Sequence, residues 1–339
     1  MGPLLALVFS LDALTMRLGI VIVTHNSERV IGPCLNACRR VAPETPVVVV
    51  DNASQDETVL QVSPRTDVRL ISTADNLGFA AAVNIGSAAL DTDLVLLLNP
   101  DTELLTGLGA FIDVFQDPRV GAAGGLLLDD DGKPQSGFFV RRLPAPVTLA
   151  FEVLGLNRLW PANPVNRRYR ELDLDPARPA DVEQPAGAFL AFRRQAWESL
   201  HGFDESFFPI WFEDVEFCRR LRDAGWSIRF VPEVRALHAG GHSIPSMSWS
   251  ARQLCWYGSL LKYTARHFRP MDRGMVCGAV VLAALVRAVT GTLQRRSTQP
   301  LVVYGRVIRL AVLSLVRGWA SPPGAAAGSA SNRSRPNMR

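Results

Sequence analysis

The first hundred residues alternate short, wholly apolar runs with longer stretches in which apolar positions recur every three or four residues. Leu18–Thr24 (LGIVIVT) is read as a strand by its β-branched run, and Val47–Asp51 (VVVVD), Val68–Ser72 (VRLIS) and Leu94–Leu98 (LVLLL) are short and aliphatic, which predicts further strands. Between them the spacing predicts a helix over 28–40, a second opened by Ser54 and Glu57 as a capping box, and an Ala-rich helix over 78–90. Strands apolar on both faces, alternating with helices, predict an α/β fold with a mostly parallel, Rossmann-like sheet covered on both sides. Polar residues gather where the strands end, at Thr24-His25-Asn26, Asp51-Asn52 and Asn99-Pro100-Asp101. In open α/β sheets, ligands bind at that edge.

The pattern weakens over 136–183, which is rich in Pro and Arg and reads as a long functional loop or an acceptor-side insertion. Order returns with a strand over 187–193, a helix over 215–224 closed by Gly225, and a strand over 226–231 leading to Leu237-His238. Residues 247–268 read as an aromatic helix. No internal repeat is visible.

Charge divides the chain. Residues 251–339 carry fourteen Arg and Lys against one acid, Asp272, whereas residues 1–250 carry 22 basic and 31 acidic residues. A basic tail fits nucleic acid or an anionic membrane face. Here the charges are interleaved with apolar runs at 275–286 and 310–316, which favours a membrane surface over nucleic acid. A solvated helical tail is the plain alternative. The uncharged run 274–286 stops at Arg287, short of the roughly 20 residues a bilayer core needs, so an interfacial or re-entrant segment is expected. The first fourteen residues lack a basic flank and contain Asp12, which makes a poor signal peptide, and Met16 is an alternative start. Five scattered cysteines with no CxxC pair fit reduced thiols in a cytoplasmic setting and not a zinc site.

Three groups are candidates for chemistry. Asp101 follows a wholly apolar strand, where a carboxylate can hold a divalent cation or simply close a turn. Glu213-Asp214 opens a helix after Trp211-Phe212. Two acids there complement the helix dipole, or, with their charge disfavoured by the rings, serve as a general base. His238 stands beside Ala239-Gly240-Gly241 as a metal or phosphate contact, or as an ordinary loop residue.

Seven runs occur in order: VIVTHN (21–26), VVVVDNASQD (47–56), NLGFAAAVNIG (76–86), LLLNPDTEL (96–104), GAFLAFRRQAWESLHGFDESFF (187–208), WFEDVEFCRRLRDAGW (211–226) and HAGGHS (238–243). Together, over about residues 18–245, they resemble the family-2 glycosyltransferases, in particular the rhamnosyltransferase-like branch acting on cell-envelope glycans. The resemblance implies a GT-A fold and an inverting, metal-dependent transfer from a nucleotide diphosphate sugar. It places Thr24, Asn26, Asp51, Asn52, Gly78, Asn84, Asn99 and Asp101 at the donor, with Gly78 letting backbone approach the diphosphate. It makes Asp214, with Glu213, the catalytic pair, and sets Trp211 and Phe212 at the acceptor. Asp101 and His238 are then the contacts for Mg²⁺ or Mn²⁺. Asn99-Pro100-Asp101 departs from the DxD pattern by its first residue, so the metal rests mainly on Asp101.

The implied division is an N-terminal extension (1–17), a nucleotide-sugar-binding half (18–135) and an acceptor-binding and catalytic half (136–245). A helical, basic, membrane-associating tail (246–320) and a disordered end (321–339) follow. The implied partners are dTDP-rhamnose and a glycan or polyprenyl-linked saccharide acceptor. The implied place is the cytoplasmic face of the inner membrane, peripheral or monotopic. UDP-galactofuranose, UDP-glucose and UDP-N-acetylglucosamine are the alternative donors. The absence of a QxxRW-type segment argues against a processive synthase, and VIVTHNSER lacks the Gly-rich basic loop of a nucleotidyltransferase. A non-catalytic sugar-nucleotide-binding module would have no use for Asp101, Glu213, Asp214 and His238 together.

Overall fold

The computed structural model describes residues 16–240 and 247–317. The expected extension before Met16, Gly241 to Ser243 of the HAGGHS run, and the expected disordered end lie outside the described residues. Strand and helix alternate from the start: β1 (Leu18–Thr24), α1 (Ile31–Val41), β2 (Val47–Asp51), α2 (Thr58–Val62), β3 (Val68–Ser72), α3 (Phe79–Ala89) and β4 (Leu94–Leu98). Next come β5 (Thr102–Leu104), α4 (Gly109–Val114) and β6 (Val120–Leu128). The middle holds β7 (Val140–Arg141), α5 (Pro146–Leu154), α6 (Leu156–Leu159), α7 (Pro164–Tyr169), β8 (Ala180–Asp181) and β9 (Gln184–Pro185). After these run β10 (Phe189–Arg193), α8 (Arg194–Ser199), α9 (Glu213–Asp223) and β11 (Ser227–His238). Three helices end the described chain: α10 (Trp249–His267), α11 (Pro270–Arg295) and α12 (Gln299–Arg317).

One nine-stranded sheet runs β3-β2-β1-β4-β10-β6-β11-β5, with β8 on β11. β3, β2, β1 and β4 are mutually parallel, and so are β6 and β11. β10 is reversed between β4 and β6. β1, β2 and β4 are buried at every position. That is why they carry unbroken apolar runs, as strands covered on both faces must. A second apolar core lies between α5, α10, α11 and α12 and takes in Phe207.

Three expectations shift. The helix expected from residue 28 starts at Ile31, because the Glu28 backbone is occupied elsewhere. Its N–H donates to Asp56 Oδ2 at 3.1 Å and its carbonyl accepts from Gln61 Nε2 at 2.7 Å. The Ser54–Glu57 capping box does not form. Ser54 Oγ accepts from Asn26 N instead, and Asp56 Oδ1 takes the Thr58 N–H at the start of α2. The region expected as a loop over 136–183 folds into the short elements β7 to β8, with Asn163 capping α7 through Asn166 N at 2.8 Å.

Arg287 does not end the apolar run. Its guanidinium donates to Tyr257 Oη at 2.8 Å, and the helix continues around it. α11 and the segment Gln299–Val316 are thus long and apolar enough to cross a membrane by length and composition. α11 nevertheless lies along the body, packed on α5 and α12.

Candidate functional site

A cavity of about 890 Å³ opens at the carboxyl ends of β1, β2 and β4. It falls in the range of roughly 300–1,000 Å³ typical of small-molecule sites. Of the sequence-derived candidates, Asn26, Asn52, Asn99, Trp211, Phe212, Glu213, Asp214 and His238 line it. Thr24, Asp51, Gly78, Asn84 and Asp101 do not, and their contacts show what each does.

Thr24 and Asp51 are register partners at the ends of β1 and β2, both buried. Thr24 Oγ1 donates to Asp51 Oδ1 at 3.0 Å, and Asp51 Oδ2 accepts from Ser54 N at 3.1 Å. They lock the strand ends beneath the cavity floor. Asn26, at φ 54°, accepts from Gln55 N at 2.7 Å. Asn52 holds the loop before α3, accepting from Leu77 N at 2.8 Å and donating to Asn76 Oδ1 at 3.1 Å.

Gly78 and Asn84 both contact a segment far along the chain. Gly78, at φ 86°, would place a Cβ 2.9 Å from the Phe208 ring. The first N–H of α3, on Phe79, is taken by the Pro209 carbonyl at 2.8 Å. The glycine therefore lets the 207–212 segment close on the start of α3. The Asn84 side chain is spent on the same stretch. Its Oδ1 accepts from Phe203 N at 2.8 Å, and its Nδ2 donates to the Phe203 carbonyl at 2.8 Å and to Glu205 Oε1 at 3.0 Å.

Asp101 and His238 meet where β4 gives way to β5 and where β11 ends. His238 Nε2 lies 3.6 Å from Asp101 Oδ1, an oxygen that is buried and accepts no hydrogen bond. Gln135, which no sequence signal marked, fixes the imidazole. Its Nε2 donates to the His238 carbonyl at 2.7 Å, and its Oε1 lies 3.0 Å from Nδ1. Phe138 stacks on the ring at 5.1 Å. In the tautomer protonated at Nδ1, the ring would donate to Gln135 Oε1 and leave Nε2 as the nitrogen for a metal. A buried, unsatisfied carboxylate oxygen beside it fits a divalent cation whose other ligands are phosphate and water. No group of three or more His, Cys, Asp or Glu able to hold a metal occurs among the described residues.

Across the cavity, Trp211 (φ 83°) and Phe212 (φ 72°) are both left-handed. Such a pair costs about 1–3 kcal/mol per residue and persists only where its surroundings hold it. The Phe212 ring packs on Tyr263 of α10 at 5.5 Å, and Ser259 Oγ donates to the Ile210 carbonyl at 3.4 Å. The turn delivers Glu213 and Asp214 at the start of α9, facing the cavity. Asp214 Oδ2 accepts from Gly187 N at 3.0 Å and from Gln184 Nε2 at 3.3 Å, and Oδ1 accepts from Val215 N at 2.8 Å. A Cβ on Gly187 would come within 3.1 Å of Oδ2, so only glycine admits this contact without a shift.

Burial raises the Asp214 carboxyl above its ordinary value, against the pull of the Gly187 and Val215 N–H groups and the Arg141 charge. Burial, and then the Asp214 charge, push Glu213 well above its ordinary value. Its Oε2 has no hydrogen-bond partner. The cavity therefore sets a carboxylate of raised basicity in one wall and His238, with the buried Asp101 behind it, in another. That arrangement can deprotonate one reactant while stabilising negative charge on a second.

The glycosyl transferase family 2 pattern matches residues 19–196, and that of glycosyl transferase family group 2 matches residues 176–322. An N-acetylglucosaminyl-diphospho-decaprenol L-rhamnosyltransferase of Mycobacterium tuberculosis is 35% identical over 250 residues, covering 68% of this chain and 78% of that protein. Rhamnosyltransferase WbbL of Escherichia coli is 26% identical over 263 residues, covering 73% and 92%. Among solved structures, GalNAc-T7 with UDP, GalNAc and Mn²⁺ aligns with a TM-score of 0.54 at 15% identity, over 75% of this chain and 48% of that one. S. aureus TarS residues 1–349 with UDP-GlcNAc aligns with a TM-score of 0.53 at 14% identity, over 88% and 82%. The shared fold is of the GT-A type. The chain belongs to glycosyl transferase family 2 and is a glycosyltransferase.

Proposed function

We propose that this enzyme transfers rhamnose, with inversion, from dTDP-rhamnose to a hydroxyl of a polyprenyl-diphosphate-linked saccharide. The observation that carries the chemistry is Asp214, raised by burial yet cradled by the Gly187 and Val215 N–H groups, in the same cavity as His238, behind which Asp101 is buried. Asp214 takes the proton of the acceptor hydroxyl, whose oxygen attacks the anomeric carbon. The bond from that carbon to the phosphate oxygen breaks on the opposite face. Asn26, Asn52 and Asn99 face the donor, Thr24 and Asp51 brace the floor beneath it, and Gly78 and Asn84 act through the 203–212 segment. Trp211 and Phe212 border the acceptor. Asp101 and His238 would hold a Mg²⁺ or Mn²⁺, which when bound would supply positive charge for the departing nucleoside diphosphate. The sugar and the acceptor follow the M. tuberculosis relative, whose name specifies both.

The same reading places the enzyme on the cytoplasmic face of a membrane, where nucleotide sugars are made. Five unpaired thiols support that compartment. Met271, Met275, Leu282, Leu285, Val289 and Leu293 are exposed along α11. From first to last they span about 33 Å at the helical rise. Exposed Arg306 and Arg309 lie on the neighbouring α12. An aliphatic stripe beside cations suits the surface of an anionic bilayer.

Calorimetric titration with dTDP-rhamnose, UDP-galactofuranose, UDP-glucose and UDP-N-acetylglucosamine, with and without Mn²⁺, tests the donor. Metal-dependent binding of dTDP-rhamnose, and its transfer to a lipid-linked N-acetylglucosamine, are expected. Preferred binding of another donor, or transfer that survives Asp214→Asn, refutes the reading.

A further inference from the structure

Two arginines line the cavity without a part in donor or metal binding: Arg141 and Arg170. Arg141 belongs to the β7–β9 ladder and stands across from Gln184, the residue whose amide reaches Asp214. Its Nε donates to the Gly137 carbonyl at 2.8 Å, and its guanidinium lies 5.5 Å from the Phe138 ring centre and 5.9 Å from that of Tyr169. It forms no salt bridge among the described residues. Arg170 Nη1 reaches the same Gly137 carbonyl at 3.5 Å and its Nε donates to Asn166 Oδ1 at 3.0 Å, while Nη2 lies 3.8 Å from Glu152 Oε1. Two planar guanidiniums therefore converge on one carbonyl; Glu152 lies beside Arg170, and the Arg141 charge reaches Asp214 across the cavity wall without a salt bridge. Paired forks of this kind suit a phosphate ester.

We propose that Arg141, backed by Arg170, forms an anion subsite for the phosphate or diphosphate ester of the acceptor. This rests on the lipid-linked acceptor proposed above and adds where its charged group sits. Directly opposed residues of a ladder have Cβ atoms about 5 Å apart. Gln184 in turn donates to Asp214, whose carboxyl feels the Arg141 charge, so a phosphate on Arg141 lies in the same wall of the cavity as the base. The same cavity has an apolar side made by Leu149, Met247 and Trp256. Leu149 and Trp256 sit on α5 and α10, which pack against α11, the helix with the exposed aliphatic stripe. An isoprenoid chain leaving the phosphate thus has an apolar path toward that flank.

The test uses the full chain in detergent, with saturating nucleoside diphosphate and Mn²⁺, titrated with farnesyl diphosphate and, separately, with farnesol. Farnesyl diphosphate is expected to bind the wild type. Arg141→Gln should weaken it about ten-fold or more, the scale of a lost charge-assisted contact. Farnesol affinity and nucleotide affinity should stay unchanged, and Arg170→Gln should cause a smaller loss. Equal farnesyl diphosphate binding by wild type and Arg141→Gln overturns the proposal. So does a loss of nucleotide affinity in Arg141→Gln, which would assign the arginine to the donor diphosphate. If farnesyl diphosphate binds through Arg141 but no lipid-linked saccharide is glycosylated, the acceptor reading fails and the anion subsite stands.

Discussion

Glu213→Gln should make the protein more stable at neutral pH. Glu213 is buried, its Oε2 has no hydrogen-bond partner, and the Asp214 carboxylate stands next to it in sequence. Burying the charge of an unpaired carboxylate costs at least as much as the roughly 1–3 kcal/mol of a neutral acceptor left unsatisfied, and that charge is what the variant removes. Glutamine keeps the shape and removes the charge that both burial and Asp214 disfavour. At about 2 °C per kcal/mol, the lower end of the range for domains of 150–250 residues, the Tm should rise by roughly 2–6 °C. The sign follows from linkage. A folded-state pKa raised above the unfolded value means that Glu213 favours folding fully below the unfolded value of about 4.3, and that this contribution is lost as pH rises through the folded value. Wild type should therefore fall behind the variant as pH rises, and the two should converge on acidification. Thermal unfolding of both proteins across pH 4.5–8, about the window between the reference carboxylate and imidazole values and beyond, reads this directly. An unchanged or lowered Tm at neutral pH, or a gap independent of pH, would refute the account of Glu213 as a strained, charge-burdened carboxylate.

Asp214→Asn should lower kcat by about 10²–10⁴ with donor affinity intact. Because the base must be ionised and its pKa is raised, the acid limb of wild-type kcat/KM should lie above the ordinary carboxylate value of about 3.9, as a pH–rate profile would show. Gln135→Ala should weaken Mn²⁺ affinity about 10–100-fold without touching metal-free nucleotide binding, because it frees the His238 ring. Leu285→Glu, in the exposed stripe of α11, should release the enzyme from anionic vesicles in a co-sedimentation assay while leaving transfer to a water-soluble acceptor unaltered.

Periodicity located β1 to β4 closely, because strands covered on both faces admit only apolar residues and such runs are conspicuous. It located helix starts less well. Ser54 has the side chain of a cap, but whether that hydroxyl serves its own helix or the backbone of Asn26 is a tertiary choice. The same holds for Arg287. A charge in an apolar run normally marks its end, and only the fold brings Tyr257 within reach of the guanidinium. The site divides along the same line. Asp101, His238, Glu213 and Asp214 sit at strand or helix ends in recognisable runs. Gln135, which holds His238, comes from an irregular stretch, and Gln184, which holds Asp214, from the two-residue strand β9, and their partners lie far along the chain. Nothing local distinguishes them from surface glutamines. Asn84 and Gly78 lie in a legible motif, yet their contacts with Phe203, Phe208 and Pro209 depend on a segment more than a hundred residues later.

The reversed strand β10 has a consequence for biosynthesis. It fills the gap between β4 and β6, pairing Phe189 with Leu98 and Leu190 with Gly124. Until the ribosome has released β10, β4 offers one open edge of a strand that is apolar at every residue, with no Pro or charge to blunt it. Such an edge is a template for pairing with the wrong chain. The long sequence separation of the β4–β10 contact also delays its closure. The nascent chain is thus most exposed to misassembly while residues 99–188 are being made. Fragments ending near residue 135 should aggregate rather than yield a free-standing nucleotide-binding half.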